Sequence, residues 1–217
     1  MVKIGINGFG RIGRLILRAI LENYKNKIQV VAINDLGPIE TNAHLIKYDS
    51  THGIINEEIR TSKNGFKVGN HDIKVFSERD PANISWGKVS ADIVLECTGI
   101  FLDKQSAEKH IKGGAKKVII SAPGKEVDFT IVQGVNSKEL KKEHNIISNG
   151  SCTTNCLAPV AMVLEKTFGI NYGYMTTIHS YTGDQKLLDT LHKDLRRARS
   201  TEGSMIPTST GAAKAMS

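Results

Sequence analysis

The sequence has few of the residues that mark secreted, membrane-spanning or nucleic-acid-binding proteins. Its 217 residues include only three cysteines, too few and too odd in number for a disulfide framework. Its longest apolar runs, VVAI and DIVLECTGIF, are much shorter than the ~20 residues of a membrane-spanning helix. Aromatic residues make up 6% of the chain, and no basic stretch is interleaved with them as on single-stranded nucleic-acid platforms. We therefore expect no membrane partner, and nucleic acid only in a secondary role.

The composition is that of a globular protein with a packed core. Hydrophobic residues make up 40% of the chain and charged residues 24%, which is ordinary globular usage. The net charge of +7 fits either an anionic partner or a lysine-rich solvated surface, and charge alone does not decide between them. The first residues resemble a strand rather than a secretory signal, so we expect a cytoplasmic protein with reduced thiols.

Apolar periodicity predicts strands that alternate with helices along the first 150 residues. A strand over Val2–Asn7, a helix over 11–24 and a strand over 28–33 form one βαβ unit. The predicted buried face of the helix consists of Ile12, Leu15, Ile16, Ala19 and Ile20. Turn dipeptides at 64–65 and 69–70 predict antiparallel hairpins. Later strands are predicted over 92–97, 117–120, 129–133 and 146–148, with a glycine-ended helix after the first of these.

The pattern changes near residue 150. A long helix is predicted from Thr153 towards Phe168, followed by a β-rich stretch over 171–182 and a basic, irregular loop. The fold class we expect is α/β, with a Rossmann-type doubly wound parallel sheet in residues 1–150. The first part of an α+β catalytic domain follows in residues 151–217. Because the last residues look like the start of a helix, we expect this second domain to be incomplete.

The glycine pattern after the first strand is typical of a dinucleotide-binding loop. Gly8, Gly10 and Gly13 form G-x-G-x-x-G between a strand and a helix. The first glycine permits the tight turn, the second lets the backbone approach a pyrophosphate, and the third lets helix and strand pack closely. Free N–H groups at the helix start then hold the phosphate charge.

An acidic residue lies where such loops place their ribose ligand. Asp35 ends the second strand, about 20 residues after the last glycine of the loop. A carboxylate there accepts hydrogen bonds from ribose hydroxyls and repels a 2′-phosphate, which favours NAD over NADP. The alternative is an ordinary turn residue, since Asp is common in turns.

One cysteine lies at the start of the long helix. Cys152 is expected in the first helical turn, where the positive end of the helix dipole favours a thiolate. A nearby imidazole would activate it further, and His179 is the candidate. A small buried hydrophobe is the alternative role. Cys156, one turn along the helix, is expected to be structural. No CxxC or HxxxH element completes a set of four ligands, so we expect no metal site.

Four motifs together resemble the glyceraldehyde-3-phosphate dehydrogenase family. They are INGFGRIGR, SNGSCTTNCLAP, HSYTGDQ and IPTSTGAAKA, in the family's order. The resemblance covers the whole chain, and because family members are longer, it implies a C-terminally truncated chain that is inactive or poorly soluble alone. It implies a homotetramer with NAD as cofactor. Many NAD-dependent members carry Leu-Pro where this chain has Thr190-Leu191.

The resemblance also implies a role for each residue that matches a family motif. Cys152 would be the catalytic thiol and His179 its base. Contacts to NAD would come from Gly8, Gly10, Arg11, Ile12, Gly13, Asp35, Arg79 and Ser121. The substrate aldehyde would lie among Ser151, Cys152 and Thr153. Two anion sites, for the substrate phosphate and for inorganic phosphate, would come from Thr182, Arg197, Thr210 and Gly211.

The implied reaction is a step of glycolysis. Glyceraldehyde 3-phosphate, phosphate and NAD would give 1,3-bisphosphoglycerate and NADH through a thiohemiacetal and a thioester on Cys152. Erythrose-4-phosphate dehydrogenase, which shares the thiol and the fold, is an alternative. A truncated, inactive dinucleotide-binding module is another.

Overall fold

The computed structural model describes residues 1–208, and the chain divides into two compact units, Met1–Cys152 and Thr153–Ser217. The helices are α1 Arg11–Asn23, α2 Ile39–Lys47, α3 Lys104–Lys112 and α4 Cys152–Phe168. The strands are β1 Val2–Asn7, β2 Ile28–Asn34, β3 Tyr48–Asp49, β4 Gly53–Ile54, β5 Ile59–Ser62, β6 Gly65–Val68, β7 His71–Phe76, β8 Ile93–Glu96, β9 Lys117–Ile120, β10 Phe129–Thr130 and β11 Ile146–Ser148. Among the described helices, none is both long enough and apolar enough to cross a membrane.

The first unit is built on one nine-stranded sheet of mostly parallel strands. The strand order is β10-β11-β9-β8-β1-β2-β7-β6-β5. All pairs from β10 to β7 are parallel, and the two hairpins β5-β6 and β6-β7 add an antiparallel edge. From β1 the chain adds β2 and then β5 to β7 on one side. It then crosses to β8, which lies on the other side of β1. This confirms the predicted doubly wound Rossmann-type sheet and places its switch point between β1 and β8.

Helix α1 buries a different face from the one predicted. Its buried residues are Gly13, Leu17, Arg18, Ile20 and Leu21. Ile12 and Ala19, expected in the core, are exposed, whereas Leu15 and Ile16 are half-buried. The reason is that Gly13 must face the sheet for the helix to approach β1. That requirement rotates the helix away from the phase that the apolar residues alone suggest.

A buried arginine joins α1 to α2, a helix that the sequence analysis missed. The Arg18 guanidinium is 4% exposed. It donates to the carbonyl oxygens of Ile46 at 2.9 Å, Lys47 at 3.0 Å and Gly53 at 2.8 Å. These carbonyls lie at and just beyond the carboxyl end of α2, where a cation interacts favourably with the helix dipole. A single side chain thereby holds the end of α2 and the start of β4 against α1.

The second unit begins as predicted and then differs. Helix α4 forms over Cys152–Phe168, but the described residues after it, 169–208, contain no strand. The β-rich stretch predicted over 171–182 is therefore wrong for this structure. Tyr172, Tyr174 and Ile178 are 94%, 97% and 88% exposed. A strand needs a partner for its backbone hydrogen bonds, and the described part of the chain supplies none for this segment.

A buried histidine gives the first unit a pH-dependent stability. His71, at the start of β7, is 1% exposed, and its Nδ1 accepts the Val30 N–H at 3.1 Å. Its Nε2 has no hydrogen-bond partner among residues 1–208. Burial lowers the pKa of His71, and the nearby charge of Glu57 opposes that shift only partly. The neutral ring is thus preferred in the folded state.

We expect His71→Asn to flatten the pH dependence of the free energy of unfolding. The unfolded chain takes up a proton on His71 near pH ~6.5, whereas the folded chain does so only at lower pH. Stability is therefore full above that pH and declines as the pH falls below it. Asn keeps an acceptor for the Val30 N–H but does not titrate. Urea unfolding of the wild type and the variant at pH 7 and pH 5 measures how far the free energy of unfolding falls in each. Equal declines in both proteins would contradict the assignment.

Candidate functional site

The predicted cofactor residues follow the carboxyl ends of neighbouring parallel strands. Gly8 follows β1, Asp35 follows β2 and Ser121 follows β9, and Arg79 lies a few residues beyond β7. Backbone hydrogen bonds tie these ends together, among them Gly8 N–H to Asn34 at 2.9 Å. Because the strands are parallel, all four residues lie at one edge of the sheet. The switch point beside β1 is the place where open α/β sheets bind ligands.

The three glycines of the loop differ in their surroundings. Gly8 has a φ of +86°, and a Cβ there would lie 2.8 Å from the Thr98 nitrogen. A Cβ at Gly13 would collide with the carbonyl oxygen of Gly8. A Cβ at Gly10 would meet nothing within 4 Å. The outer glycines therefore serve the turn and the helix–strand contact, and Gly10 leaves open space beside the backbone.

The amino end of α1 is suited to an anion. Gly10 is the N-cap residue, and no side chain caps the helix. The first-turn N–H groups carry the positive end of the helix dipole. Open space at Gly10 and these donors fit a pyrophosphate. The Ile12 side chain beside them is 49% exposed.

Asp35 connects the glycine loop to the loop after β2. Its Oδ2 accepts the Phe9 N–H at 2.9 Å, and its Oδ1 accepts the Gly37 N–H at 2.8 Å. The side chain of Asn42 donates to Oδ1 at 3.4 Å. The carboxylate is half-buried and so remains reachable from solvent. Its position fits the predicted ribose ligand, and these bonds hold it against the loop.

The remaining cofactor candidates differ in how they are held. The Arg11 guanidinium donates to Asp49 Oδ2 at 2.9 Å. Backbone N–H groups of His52 and Thr51, followed by Arg11, hold the pKa of Asp49 well below its usual range. Arg79 is exposed.

Ser121 is paired with a cysteine at the same edge. Its side chain hydrogen-bonds the thiol of Cys97, which is half-buried directly after β8. Burial raises the pKa of Cys97 to about 12, despite the bond from Ser121. This thiol is therefore a poor nucleophile.

Cys152 is the first residue of α4, as the sequence predicts, and it is exposed. The turn before it is fixed by Asn149 N–H, which donates to Ile120 at 2.9 Å, and by Gly150, whose φ is +66°. Since β11 is parallel to β9, this turn lies at the same edge of the sheet as the glycine loop. Ser151 and Thr153 flank the cysteine and are half-buried. Cys156, expected to face an apolar side, is instead exposed.

His179 and the anion-site candidates lie in the second unit. His179 is exposed, and its Nδ1 lies 2.6 Å from the carbonyl oxygen of Ser180. The Thr182 N–H donates to Gln185 at 2.8 Å. Arg197 pairs with Asp184 and donates to Thr208 at 2.9 Å. The pairing of Cys152 with His179 stays a prediction.

Two of the predicted residues, Thr210 and Gly211, lie outside the described residues. Within residues 1–208, no group of three or more His, Cys, Asp or Glu side chains is arranged to hold a metal ion.

A set of buried polar residues beneath the glycine loop was not predicted from the sequence. Asn7, Asn34 and Glu96 each end a parallel strand and are at most 5% exposed. His110, on α3, is fully buried. The signal that could have identified them is a polar residue at the last position of a strand, directly after Ile6, Ile33 and Leu95, because a buried polar group must find hydrogen-bond partners.

This fold and this loop define a dinucleotide-binding α/β protein of the Rossmann type. Residues 2–104 match the family model described as the glyceraldehyde 3-phosphate dehydrogenase NAD-binding domain. Residues 151–217 match the model of the C-terminal domain of the same enzyme. The chain belongs to the glyceraldehyde-3-phosphate dehydrogenase family, and its first unit is an NAD-binding domain. The resemblance carried by the four motifs is thereby confirmed.

Individual relatives agree with the family models. The chain is 57% identical over 215 residues to the glyceraldehyde-3-phosphate dehydrogenase of Xanthobacter flavus and 57% identical over 216 residues to that of Geobacillus stearothermophilus. It is 56% identical over 217 residues to glyceraldehyde-3-phosphate dehydrogenase 1 of Bacillus cereus. Each alignment includes 99–100% of this chain, which spans 64% of the length of each of these curated relatives.

We expect Gly13→Ala and Gly10→Ala to separate folding from cofactor binding. At Gly13 the methyl meets a backbone oxygen that cannot move aside, so the cost of about 1–3 kcal/mol exceeds the gain of up to ~1 kcal/mol in helix propensity. At Gly10 the fold has room, and we expect a loss of at most about 1 kcal/mol but weaker NAD binding. Urea unfolding and NAD titration of the full-length protein check both. A Gly10→Ala variant with unchanged NAD affinity would contradict the assigned role of that space.

Proposed function

We propose that the full-length protein is an NAD-dependent, phosphorylating glyceraldehyde-3-phosphate dehydrogenase of glycolysis. The substrates would be glyceraldehyde 3-phosphate and inorganic phosphate, and the product 1,3-bisphosphoglycerate. The observation that carries this proposal is the position of Cys152 at the amino end of α4, at the same sheet edge as the glycine loop. The names of the relatives in three bacterial species support the same reaction.

Cys152 is proposed as the nucleophile. The amino end of a 17-residue helix favours negative charge on its sulfur. The sulfur would add to the aldehyde carbon as the C=O π bond breaks. The oxygen would take the proton that His179 had removed from the thiol and become the hydroxyl of a thiohemiacetal. Backbone N–H groups at the start of α4 would stabilise the oxygen while it carries negative charge. Ser151 and Thr153, on either side, would line the space for the aldehyde.

His179 is proposed as the general base. It would take the hydroxyl proton of the thiohemiacetal as the adduct is oxidised. NAD, when bound, supplies the hydride acceptor. Cys152 would then hold the acyl group as a thioester until phosphate attacks its carbon and the sulfur leaves as thiolate. The thioester keeps the energy of the oxidation available for forming the acyl phosphate.

NAD would be held by the sheet edge already described. The N–H groups at Arg11 and Ile12 would bind the pyrophosphate, and Asp35 would bind the ribose hydroxyls. Arg79 and Ser121, which follow β7 and β9, would line the rest of the site. A negative charge at Asp35 would disfavour the 2′-phosphate of NADP.

Two anion sites are proposed from the second unit. Thr182 and Arg197, with Thr210 and Gly211, would bind the substrate phosphate and inorganic phosphate. Hydroxyl groups and a guanidinium fork suit these anions. Arg197 and His192 already lower the pKa of Asp184, so an anion bound at Arg197 would compete with this carboxylate.

The proposal extends to the organisation of the whole protein. The family relationship supports a homotetramer in the cytoplasm. The NAD-binding domain would comprise residues 1–150, and residues 151–217 would begin the catalytic domain.

We expect Cys152→Ser to lower kcat of the full-length protein by at least about 10³-fold, because the hydroxyl is a far weaker nucleophile. His179→Asn should lower it by about 10²–10⁴-fold, the range of general base catalysis. Cys156→Ser is the matched control, since it removes an exposed thiol one turn along the same helix. Its kcat should stay close to that of the wild type. Substantial turnover by Cys152→Ser would refute the thiol mechanism.

We expect Asp35→Asn and Asp35→Ala both to raise the ratio of NADP to NAD affinity, by about tenfold or more, because both remove the negative charge. Only Asn keeps an acceptor for the Phe9 N–H, so Asp35→Ala should bind NAD more weakly than Asp35→Asn. Calorimetric titration with each dinucleotide measures both effects. An unchanged ratio in both variants would contradict the ribose role.

A further inference from the structure

A buried carboxylate lies directly beneath the glycine loop. Glu96 ends β8, next to β1 at the switch point, and is 1% exposed. Its Oε1 accepts the Thr98 N–H at 2.7 Å and also the Thr98 hydroxyl. Its Oε2 accepts Asn7 Nδ2 at 2.5 Å and His110 Nε2 at 3.0 Å. Both oxygens are thus fully engaged by donors from three different parts of the first unit.

The histidine behind Glu96 is held in one tautomer. The indole N–H of Trp86 can only donate, and it lies 3.0 Å from His110 Nδ1. His110 Nδ1 must therefore be the acceptor, which leaves the proton on Nε2, directed at Glu96. His110 and Trp86 are both 0% exposed. The neutral imidazole consequently acts as a fixed donor to the carboxylate.

Two asparagines extend the network across the sheet. Asn7 Oδ1 accepts from Asn34 Nδ2 at 2.8 Å, which directs the amide nitrogen of Asn7 at Glu96. Asn34 in turn donates to the carbonyl oxygen of Glu78 at 2.9 Å and accepts its N–H at 2.8 Å. The hydrogen bonds thus run from the residues after β7, through the ends of β2, β1 and β8, to α3.

The network meets the glycine loop at two points. Asn7 directly precedes Gly8, and Thr98 is the residue against which Gly8 packs, since a Cβ at Gly8 would lie 2.8 Å from the Thr98 nitrogen. The Asn7 carbonyl also accepts the Cys97 N–H at 2.7 Å. Glu96 therefore holds both partners of the contact that shapes the turn.

We propose that Glu96, oriented by His110 and Trp86, is a positioning residue that sets the geometry of the glycine loop for NAD. The inference rests on the proposed binding of NAD by this domain. Glu96 and His110 are too deeply buried to touch a cofactor at the loop, so they act through Asn7 and Thr98. An amide in place of the carboxylate replaces one accepting oxygen with an NH2 group, which is a donor. This donor would face the donors of Asn7 or Thr98, and one of these two residues must then shift.

The test compares NAD affinity and folding stability in the full-length protein. We expect Glu96→Gln to raise the Kd for NAD about tenfold or more. His110→Leu, which removes one donor, should raise it about threefold or more, and His110→Gln, which retains an N–H donor, should stay within about twofold of the wild type. Calorimetry gives Kd, and thermal unfolding without NAD shows whether each variant is folded.

The matched control removes a carboxylate from the other end of the same strand. Asp92 directly precedes β8, where it accepts from Lys3 N at 3.2 Å and Lys116 Nζ at 2.7 Å. Asp92→Asn should leave the Kd for NAD unchanged even where stability falls. An equal loss of affinity in this control would show general destabilisation and overturn the proposal.

The remaining outcomes separate this inference from the proposed function. Wild-type affinity in Glu96→Gln and His110→Leu, with a wild-type protein that binds NAD, overturns the positioning role alone. A wild-type protein that does not bind NAD overturns both proposals. If Glu96→Gln does not fold, the two His110 variants decide the question. Equal NAD affinities of His110→Leu and His110→Gln would then contradict the positioning role.

Discussion

The close approach of α1 to β1 is the constraint on which the rest of the site depends. Gly13 lies so near the carbonyl oxygen of Gly8 that no side chain fits between helix and strand. This contact directs the first turn of α1 at the carboxyl edge of the sheet. It also fixes the phase of the helix, which exposes Ile12 and leaves open space at Gly10. The position of the amino end of α1 at this edge therefore follows from a packing requirement.

The first unit separates its apolar core from a polar layer at one edge. Strand residues such as Ile6, Ile33 and Val94 are completely buried in the sheet. Polar residues occupy the last positions of β1, β2 and β8, where Asn7, Asn34 and Glu96 hydrogen-bond one another and their neighbours. A buried carboxylate is tolerated there because four donors compensate for its lost hydration. The same bonds hold the backbone on which a cofactor would rest.

The elements that could be predicted from the sequence are those whose ends depend on neighbouring residues, such as helix caps and tight turns. Helix α3 begins after Asp103, whose side chain caps it, and ends before Gly113. The second hairpin turn forms at the predicted dipeptide 69–70, whereas the first lies at 63–64, one residue before the predicted dipeptide. The position of Cys152 at a helix start was also predictable. The buried face of α1 was not, because it depends on the contact between two glycines. Within residues 1–208 the segment over 171–182 has no pairing strand, and the partners of Glu96 come from residues far apart in the sequence.

The most direct test of this account is an experimental structure of the full-length protein with NAD bound. The account predicts that the pyrophosphate lies beside Gly10, within hydrogen-bond distance of the N–H groups at the start of α1. The Asp35 carboxylate should contact the adenosine ribose. Glu96 should keep its bonds to Asn7 and Thr98 without touching the cofactor. A nucleotide bound elsewhere, or a pyrophosphate remote from Gly10, would contradict the central claim that the two-glycine contact builds the site.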